Sequence, residues 1–369
     1  MKQRNVLLVI QPAYPERIQG IARFARSHGW HLTIVDRLTR FPRGWRGDGA
    51  LVTLRGNAET NRFVRGLVRD GIPVVDLTFN HPEIRLPRVS GDHEAFGRLA
   101  REHFGSLNFR HFAWFSTGWS HVHELRHNGF APDDRWVLSD LVAADEIDNW
   151  RLFLRIIGRK LKTAPKPLAV LTYDDADAAK VLSAALEAGL RVPEDIAIMG
   201  IGNDTVICEN QAVPLSSVDH DLEKNGYEGA ALLSRLMSTR RAPCTKFIPP
   251  RGIVIRKSTD TLAADDPLLS AALREISKRL ATSFGTAEIA AALKIPRTRL
   301  DRLFAEKFSR SVGREIARQR IDRAKRFLSE TDKPMKEIAA LCGYCNAGYF
   351  TNAFRTETGL TPKAWRRER

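Results

Sequence analysis

The chain has 369 residues, of which 43% are apolar and 27% charged, and its formal net charge is +15. Length and composition fit a water-soluble protein of two or three domains, and the basic surplus calls for a polyanionic partner such as nucleic acid. Four cysteines are too few for a disulfide scaffold, no apolar run reaches the ~18 residues of a membrane span, and the apolar run Val6–Ile10 falls short of a secretory signal, so a cytoplasmic protein with no membrane partner is expected.

The first two-thirds alternate strand and helix patterns. Val6–Ile10 is continuously apolar, as in a strand buried on both faces. Glu16–His28 follows as an amphipathic helix with Ile18, Ile21, Ala22 and Ala25 on one face. Leu32–Val35 and Ala50–Thr53 are strands, Asn61–Asp70 is a helix that stops at Gly71, and Ile72–Leu77 is a strand. Asp92 has the chemistry of an N-cap for a helix running to about Phe104. His111–Phe115, Leu168–Leu171 and Ile196–Ile201 are further strands, with helices at Trp150–Leu161 and Asp177–Ala188. Strands alternating with helices of this length form parallel sheets, so the fold class is α/β. Ligands of such sheets sit beyond the carboxyl ends of the strands. That singles out the loops Gln11–Pro15, Ser116–Arg126, Tyr173–Asp177 and Gly202–Asp204.

The pattern changes after Ile255. Residues 258–266 form a polar linker and a helix start, and everything beyond is helical. Residues 261–369 carry 22 Lys and Arg against 13 Asp and Glu, whereas the preceding 260 residues carry 36 against 30. The basic part contains an internal repeat. Ile289, Ala290 and Leu293 recur 49 residues on as Ile338, Ala339 and Cys342, and Leu300 and Phe304 recur 50 residues on as Phe350 and Phe354. Each copy has the helix-turn-helix layout: a short helix, a turn at Lys294-Ile295 or Gly343-Tyr344, and a second helix at Pro296–Phe308 or Asn346–Glu357.

One face of each second helix is apolar, which leaves the other free to enter a major groove of double-stranded DNA. In the first copy that face carries Arg297, Thr298, Asp301 and Arg302, and in the second Ala347, Gly348, Thr351, Asn352 and Arg355. Arg302 can bond guanine O6 and N7, and Asn352 adenine N6 and N7; Thr298 and Thr351 suit a thymine methyl or a phosphate. Arg297, Arg299, Arg310 and Lys363 are placed as phosphate clamps. Ala347 and Gly348 have little reach, so the second unit is expected to discriminate sequence less strictly. Cys342-x-x-Cys345 has neither a second pair nor a nearby histidine, which argues against zinc.

The string Ile338-Ala339, Gly343-Tyr344, Tyr349-Phe350, Phe354, Gly359, Thr361-Pro362 and Trp365-Arg366 resembles the AraC/XylS family of regulators over about Leu268–Arg367. The resemblance implies a long helix, Gly313–Glu330, joining the two units. Ser309 stands where the family usually has glycine, and Pro296 where a Ser N-cap is usual; proline suits a first helical turn. Further upstream, Val192-Pro193 through Gly200, followed by Val213–Val218, resembles the LacI-type periplasmic-binding-protein-like sugar-binding domain over about residues 5–257. Tyr173–Ala178 matches its N-D-x-x-A loop with Asp174 in the asparagine place, and Arg126-x-x-Gly129-Phe130 matches its arginine turn.

That second resemblance implies two α/β lobes with a small sugar or sugar-like effector in the cleft between them. Tyr14, Asp92, Arg126, Asp174, Asp175 and Asn203 are the candidate effector-binding residues. Two departures bear on the ligand: Gly202 and Pro15 stand where hydroxyl-bonding Asp residues occur in relatives of this kind. A pentose is therefore expected to bind weakly, and Gly202 to leave extra room. The expected organisation is a sensing domain (1–257), a linker (258–266) and a double helix-turn-helix domain (267–369). The expected function is a transcription regulator, an activator of carbohydrate-related genes, acting as a homodimer with RNA polymerase as partner. No cofactor, metal or catalysis is expected. The chain has no Ser/His/Asp set, Walker loop or H-E-x-x-H, and His121, His123 and His127 come without an ordered carboxylate pattern. The alternatives are a DNA-binding regulator with a non-sugar effector or none, and a small-molecule binding or transport receptor.

Overall fold

The computed structural model describes residues 3–35, 41–42, 44–54, 58–131, 137–138, 149–239, 245–260, 266–308, 310–331 and 333–367. They fall into two compact units, Met1–Thr261 and Leu262–Arg369. In the first unit, β1 (Arg4–Val9) lies inside a six-stranded parallel sheet. β2 (Trp30–Ile34) flanks it on one side, and β3 (Gly49–Val52), β4 (Val74–Asp76), β5 (Arg88–Gly91) and β10 (Thr245–Ile248) follow on the other. Alternate side chains of β1 enter opposite cores. Val6 and Leu8 cluster with Ile21 and Phe24 of α1 (Pro15–Ser27) and with Leu233 of α8 (Leu222–Thr239). Leu7 and Val9 cluster with Val64 and Leu67 of α2 (Ala58–Arg69). Burial on both faces is why this run is apolar without alternation.

The second lobe is built on β6 (His111–Phe115), β7 (Leu168–Thr172), β8 (Ile196–Ile201) and β9 (Ser216–Asp219), all parallel, with β11 (Gly252–Val254) added antiparallel at the β9 edge. Phe153, Ile157 and Leu161 of α5 (Trp150–Thr163) and Val181 and Leu182 of α6 (Asp175–Glu187) fill one core against it. The chain crosses between the lobes after β5, β9 and β10. Two backbone bonds join these crossings, Asp92 N–H to the Ile248 carbonyl (2.8 Å) and Arg251 N–H to the Asp219 carbonyl (3.0 Å).

Two expectations are corrected in this unit. Residues 121–126, expected within the loop Ser116–Arg126, belong instead to helix α4 (His121–Phe130), with Val122, Arg126, Gly129 and Phe130 as its buried face. It crosses α3 (His93–Ser106) at glycines. A Cβ on Gly129 would stand 2.0 Å from the Glu94 carbonyl oxygen, and one on Gly97 2.3 Å from that of Arg126. The linker also begins later than expected. Ser258 and Thr259 are buried, and the Ser258 hydroxyl donates to the Ile198 carbonyl (2.6 Å) while accepting from Ser216 N–H (2.8 Å). Residues 261–265 of that linker, and Ser309, lie outside the described residues.

The second unit opens with α9 (Pro267–Arg279), whose first N–H groups at Leu268 and Leu269 donate to Asp266. α10 (Thr286–Ala292) and α11 (Arg297–Phe308) form the first helix-turn-helix. α12 (Val312–Glu330) leads to α13 (Met335–Leu341) and α14 (Ala347–Thr358), the second, and α15 (Pro362–Arg367) follows. The repeated apolar residues Ile289, Ala290, Leu300 and Phe304, and Ile338, Ala339, Cys342, Phe350 and Phe354, are buried. Both turns hold a left-handed residue, Lys294 (φ 55) and Gly343 (φ 74). Lys294 is exposed. A Cβ on Gly343 would stand 2.5 Å from the Leu280 carbonyl oxygen and 2.9 Å from that of Thr282, so the second turn demands glycine on both counts.

Candidate functional site

A cavity of about 400 Å³ lies between the lobes of the first unit, at the carboxyl ends of its strands. Five of the six effector residues expected from sequence line it: Tyr14, Arg126, Asp174, Asp175 and Asn203. Asp92 does not; its carboxylate accepts from Ala95 N–H (3.0 Å) and caps α3. The wall also contains Tyr173, from a loop expected to carry the ligand, and Arg17, Thr78, Asn80, His93 and His220, which the sequence reading did not single out. Their signal is tertiary. Arg17 sits in an ordinary amphipathic helix and reaches the cavity because α1 crosses α8, where its Nε donates to Asn225 Oδ1 (2.9 Å).

The carboxylate side of the cavity is built around Asp175. Its Oδ1 accepts from the Ser217 hydroxyl (2.6 Å) and its Oδ2 from Asp204 N–H (2.7 Å). Burial pushes this carboxyl up to about 6, against the opposing pull of those hydrogen bonds. The room expected beside Gly202 is therefore taken. A Cβ on Gly202 would stand 3.0 Å from Asp175 Oδ2, and one on Gly200 2.2 Å from Oδ1. Asp174 caps α6 by accepting from Asp177 N–H (2.9 Å), and Asp204 caps α7 (Thr205–Glu209) through Ile207 N–H (3.1 Å). Asn203, in the left-handed region (φ 59), accepts from Arg256 (2.9 Å) and donates to Asp219 (3.4 Å) at a lobe crossing.

Arg126 is buried and braced. Its Nε donates to His93 Nδ1 (3.2 Å), its Nη1 donates to the Tyr173 carbonyl, and its guanidinium lies 4.6 Å from the Tyr173 ring centroid. His93 meets Ser90 Oγ through Nε2 (3.1 Å). Burial, and then the charges of Arg126, His220, Arg17 and His121, hold its imidazole well below the usual histidine range, so the ring is neutral. The lobes touch where the Ser120 hydroxyl meets Asn80 Oδ1 (2.9 Å); within the second lobe the same hydroxyl meets His123 Nδ1 (2.6 Å), and the His123 ring stacks on Tyr173 at 3.6 Å. His121 packs on Phe79 (4.8 Å between ring centroids). Among the described residues, no group of His, Cys, Asp and Glu has the arrangement of a metal site.

In the second unit, the polar faces of α11 and α14 point to solvent. Arg297, Thr298, Arg299, Arg302, Gly348, Asn352, Arg355 and Lys363 are exposed, and Asp301, Ala347 and Thr351 are half-buried. Arg297 pairs with Asp301 (3.3 Å) and Arg302 with Glu306 (3.7 Å), one helical turn apart. Both are solvated pairs of small net strength, which an approaching phosphate or base can displace. The Thr351 hydroxyl is spent on the Ala347 carbonyl (2.7 Å), leaving its methyl for contact. Arg310 lies elsewhere: it pairs with the fully buried Glu315 (3.3 Å), which also accepts from Arg318 and Gln319 (2.8 Å each). Tyr349, part of the family string but not of the expected DNA-contact set, is 70% exposed on the same side of α14 as Asn352.

Residues 102–259 match the model of a periplasmic binding protein-like domain, and residues 289–368 that of a helix-turn-helix domain. The chain is 31% identical over 294 residues to the xylose operon regulatory protein of Haemophilus influenzae, covering 76% of this chain and 75% of that one. It is 24% identical over 385 residues to the protein of the same name from Escherichia coli K12, covering 98% and 96%. Among solved structures, the xylose-binding transcription activator xylR shares the fold over 100% of this chain and 98% of that one, with a TM-score of 0.65 at 20% identity. The cellobiose complex of the transcriptional regulator CelR matches 69% of this chain and 84% of that one, with a TM-score of 0.56 at 22% identity. A periplasmic-binding-protein-like unit with an interlobe cavity and a double helix-turn-helix unit thus occur in one chain, and the chain belongs to the family of xylose operon regulatory proteins, which are DNA-binding transcription regulators.

Proposed function

We propose that the chain is a cytoplasmic activator of carbohydrate-related genes. A sugar-class effector occupies the interlobe cavity, and α11 and α14 contact successive major grooves. The single observation that carries this proposal is the coexistence, in one chain, of a cavity lined by Arg126, Asp174, Asn203 and Tyr14 and of two recognition helices with exposed polar faces. Arg302 and Asn352 are the base readers, Thr298 and Thr351 the thymine or phosphate contacts, and Arg297, Arg299, Arg355 and Lys363 the phosphate contacts. Tyr349 adds an aromatic contact in the second unit, where Ala347 and Gly348 have little reach. The chain acts as a homodimer and recruits RNA polymerase; we assign it no catalytic reaction.

The relatives named for xylose support a sugar effector, yet Pro15 and Gly202 supply no side-chain hydrogen bond here, so D-xylose itself binds weakly. Anisotropy of labelled duplexes from the DNA upstream of its own gene tests the proposal, with and without a panel of monosaccharides and their acids. Salt-sensitive, sequence-selective binding that at least one panel member changes is the expected result. Binding without sequence preference, unmoved by any ligand, would contradict it.

A further inference from the structure

The two helix-turn-helices meet at a seam built on one side chain. Arg320 lies midway along α12, the helix that joins them, one residue before Ile321 enters the core of the second helix-turn-helix beside Ile338, Phe350 and Phe354. Its Nη2 donates to the Thr282 carbonyl (2.7 Å), and its guanidinium lies 5.2 Å from the Phe284 ring centroid; both residues belong to the segment leading into α10 of the first helix-turn-helix. The same guanidinium lies 5.6 Å from the ring centroid of Tyr344, in the turn of the second. Tyr344 packs in turn on Phe350 (5.5 Å between centroids), a buried anchor of α14. The turn is pressed against the same segment. A Cβ on Gly343 would stand 2.5 Å from the Leu280 carbonyl oxygen, 2.9 Å from that of Thr282 and 3.0 Å from Arg320 Nε. A half-buried, planar guanidinium that meets two rings and a carbonyl at once fixes direction as well as distance.

We propose that Arg320 is a positioning residue for DNA recognition. By tying the Gly343–Tyr344 turn to Thr282 and Phe284 it fixes the separation of α11 and α14, and so the spacing between the two DNA boxes that the chain accepts. One added base pair moves the second box ~3.4 Å along the duplex and about 35° around it. Two reading helices locked to each other cannot follow that step without losing contacts in one groove, whereas loosely joined ones can. The inference rests on the proposal that α11 and α14 contact successive major grooves.

In vitro selection with the full chain supplies the two boxes. Anisotropy then compares the full chain with its Arg320→Met variant on duplexes whose spacer is shortened or lengthened by one or two base pairs, and on duplexes with either box scrambled; circular dichroism verifies the fold. The wild type is expected to lose affinity about tenfold or more at each altered spacing. Arg320→Met keeps an apolar stem and loses the charge and the donors. It is expected to bind the altered spacings within about threefold of the original one, while scrambling either box still weakens it. That remaining sensitivity separates a positioning role from failure of the second helix-turn-helix to fold. Wild-type affinity that stays within about threefold across all spacers overturns the inference whatever the variant does, and leaves the DNA-reading proposal standing. A folded variant as strict about spacing as the wild type, or one blind to the second box, overturns it equally. Selection that enriches no sequence overturns both.

Discussion

The Asp175 carboxylate occupies the space into which a side chain at Gly202 would extend. A Cβ there would lie 3.0 Å from Oδ2, on a backbone with φ near +139 that L side chains rarely adopt. Gly202→Asp therefore does not restore a hydroxyl-binding carboxylate, although sequence alone invites that substitution. We expect it to destabilise the first unit by about 1–3 kcal/mol from backbone strain alone, with like-charge repulsion against Asp175 added. Thermal unfolding of the full-chain variant measures the loss. An unchanged melting temperature together with a gain in xylose affinity would refute this geometry.

The same carboxylate gives a pH dependence of known sign. Burial raises Asp175 to about 6 in the folded chain, above the ordinary 3.8, so the folded state holds a proton that the unfolded chain releases. Its contribution to stability is full below about pH 4 and is lost as pH rises towards 6. Relative to Asp175→Asn, the wild-type chain is expected to lose stability across that window, at up to about 1.4 kcal/mol per pH unit. Parallel stability profiles for the two proteins from pH 4 to 7 would show that the group does not titrate there.

Lys294 and Gly343 make the two turns chemically unequal. Lys294→Gly relieves a left-handed residue in an open turn and is expected to stabilise the second unit by about 1 kcal/mol. Gly343→Ala meets the Leu280 and Thr282 carbonyls and is expected to cost about 2 kcal/mol or more. Denaturant melts of the two variants, followed by helix signal, decide whether the effects have opposite signs.

A fragment beginning near residue 262 is expected to fold alone and bind DNA, because its apolar residues are buried among its own helices. Its affinity should fall steeply with salt as phosphate neutralisation releases counterions. A helical, soluble fragment with no affinity for any duplex at low salt would place essential DNA contacts in the first unit.

Much of this was legible in the sequence because local patterns carry it. The 49- and 50-residue offsets located both helix-turn-helix units, and the apolar run at Val6–Ile10 marked a central strand. Helix α4 was not legible: its buried period, Val122, Arg126 and Gly129-Phe130, is broken up by three polar histidines, and it packs through a glycine rather than an apolar side chain. Strands of three or four residues such as β5, β10 and β11 carry too few positions to show a period. In the cavity, Asp174 and Arg126 were marked by loop motifs. Arg17, His93 and His220 become neighbours only through helix crossings and lobe connections that no local pattern encodes.

The division of labour along α11 and α14 is tested most directly by in vitro selection of DNA with the full chain and its Arg302→Ala and Lys363→Ala variants. Two short boxes about one helical turn, ~10 base pairs, apart are expected for the wild type. Arg302→Ala should relax a single base position at a cost of about 1–3 kcal/mol, and Lys363→Ala should weaken all sequences alike. No enriched sequence, or a consensus that Arg302→Ala leaves unchanged, would contradict the assignment of α11 as a base-reading helix.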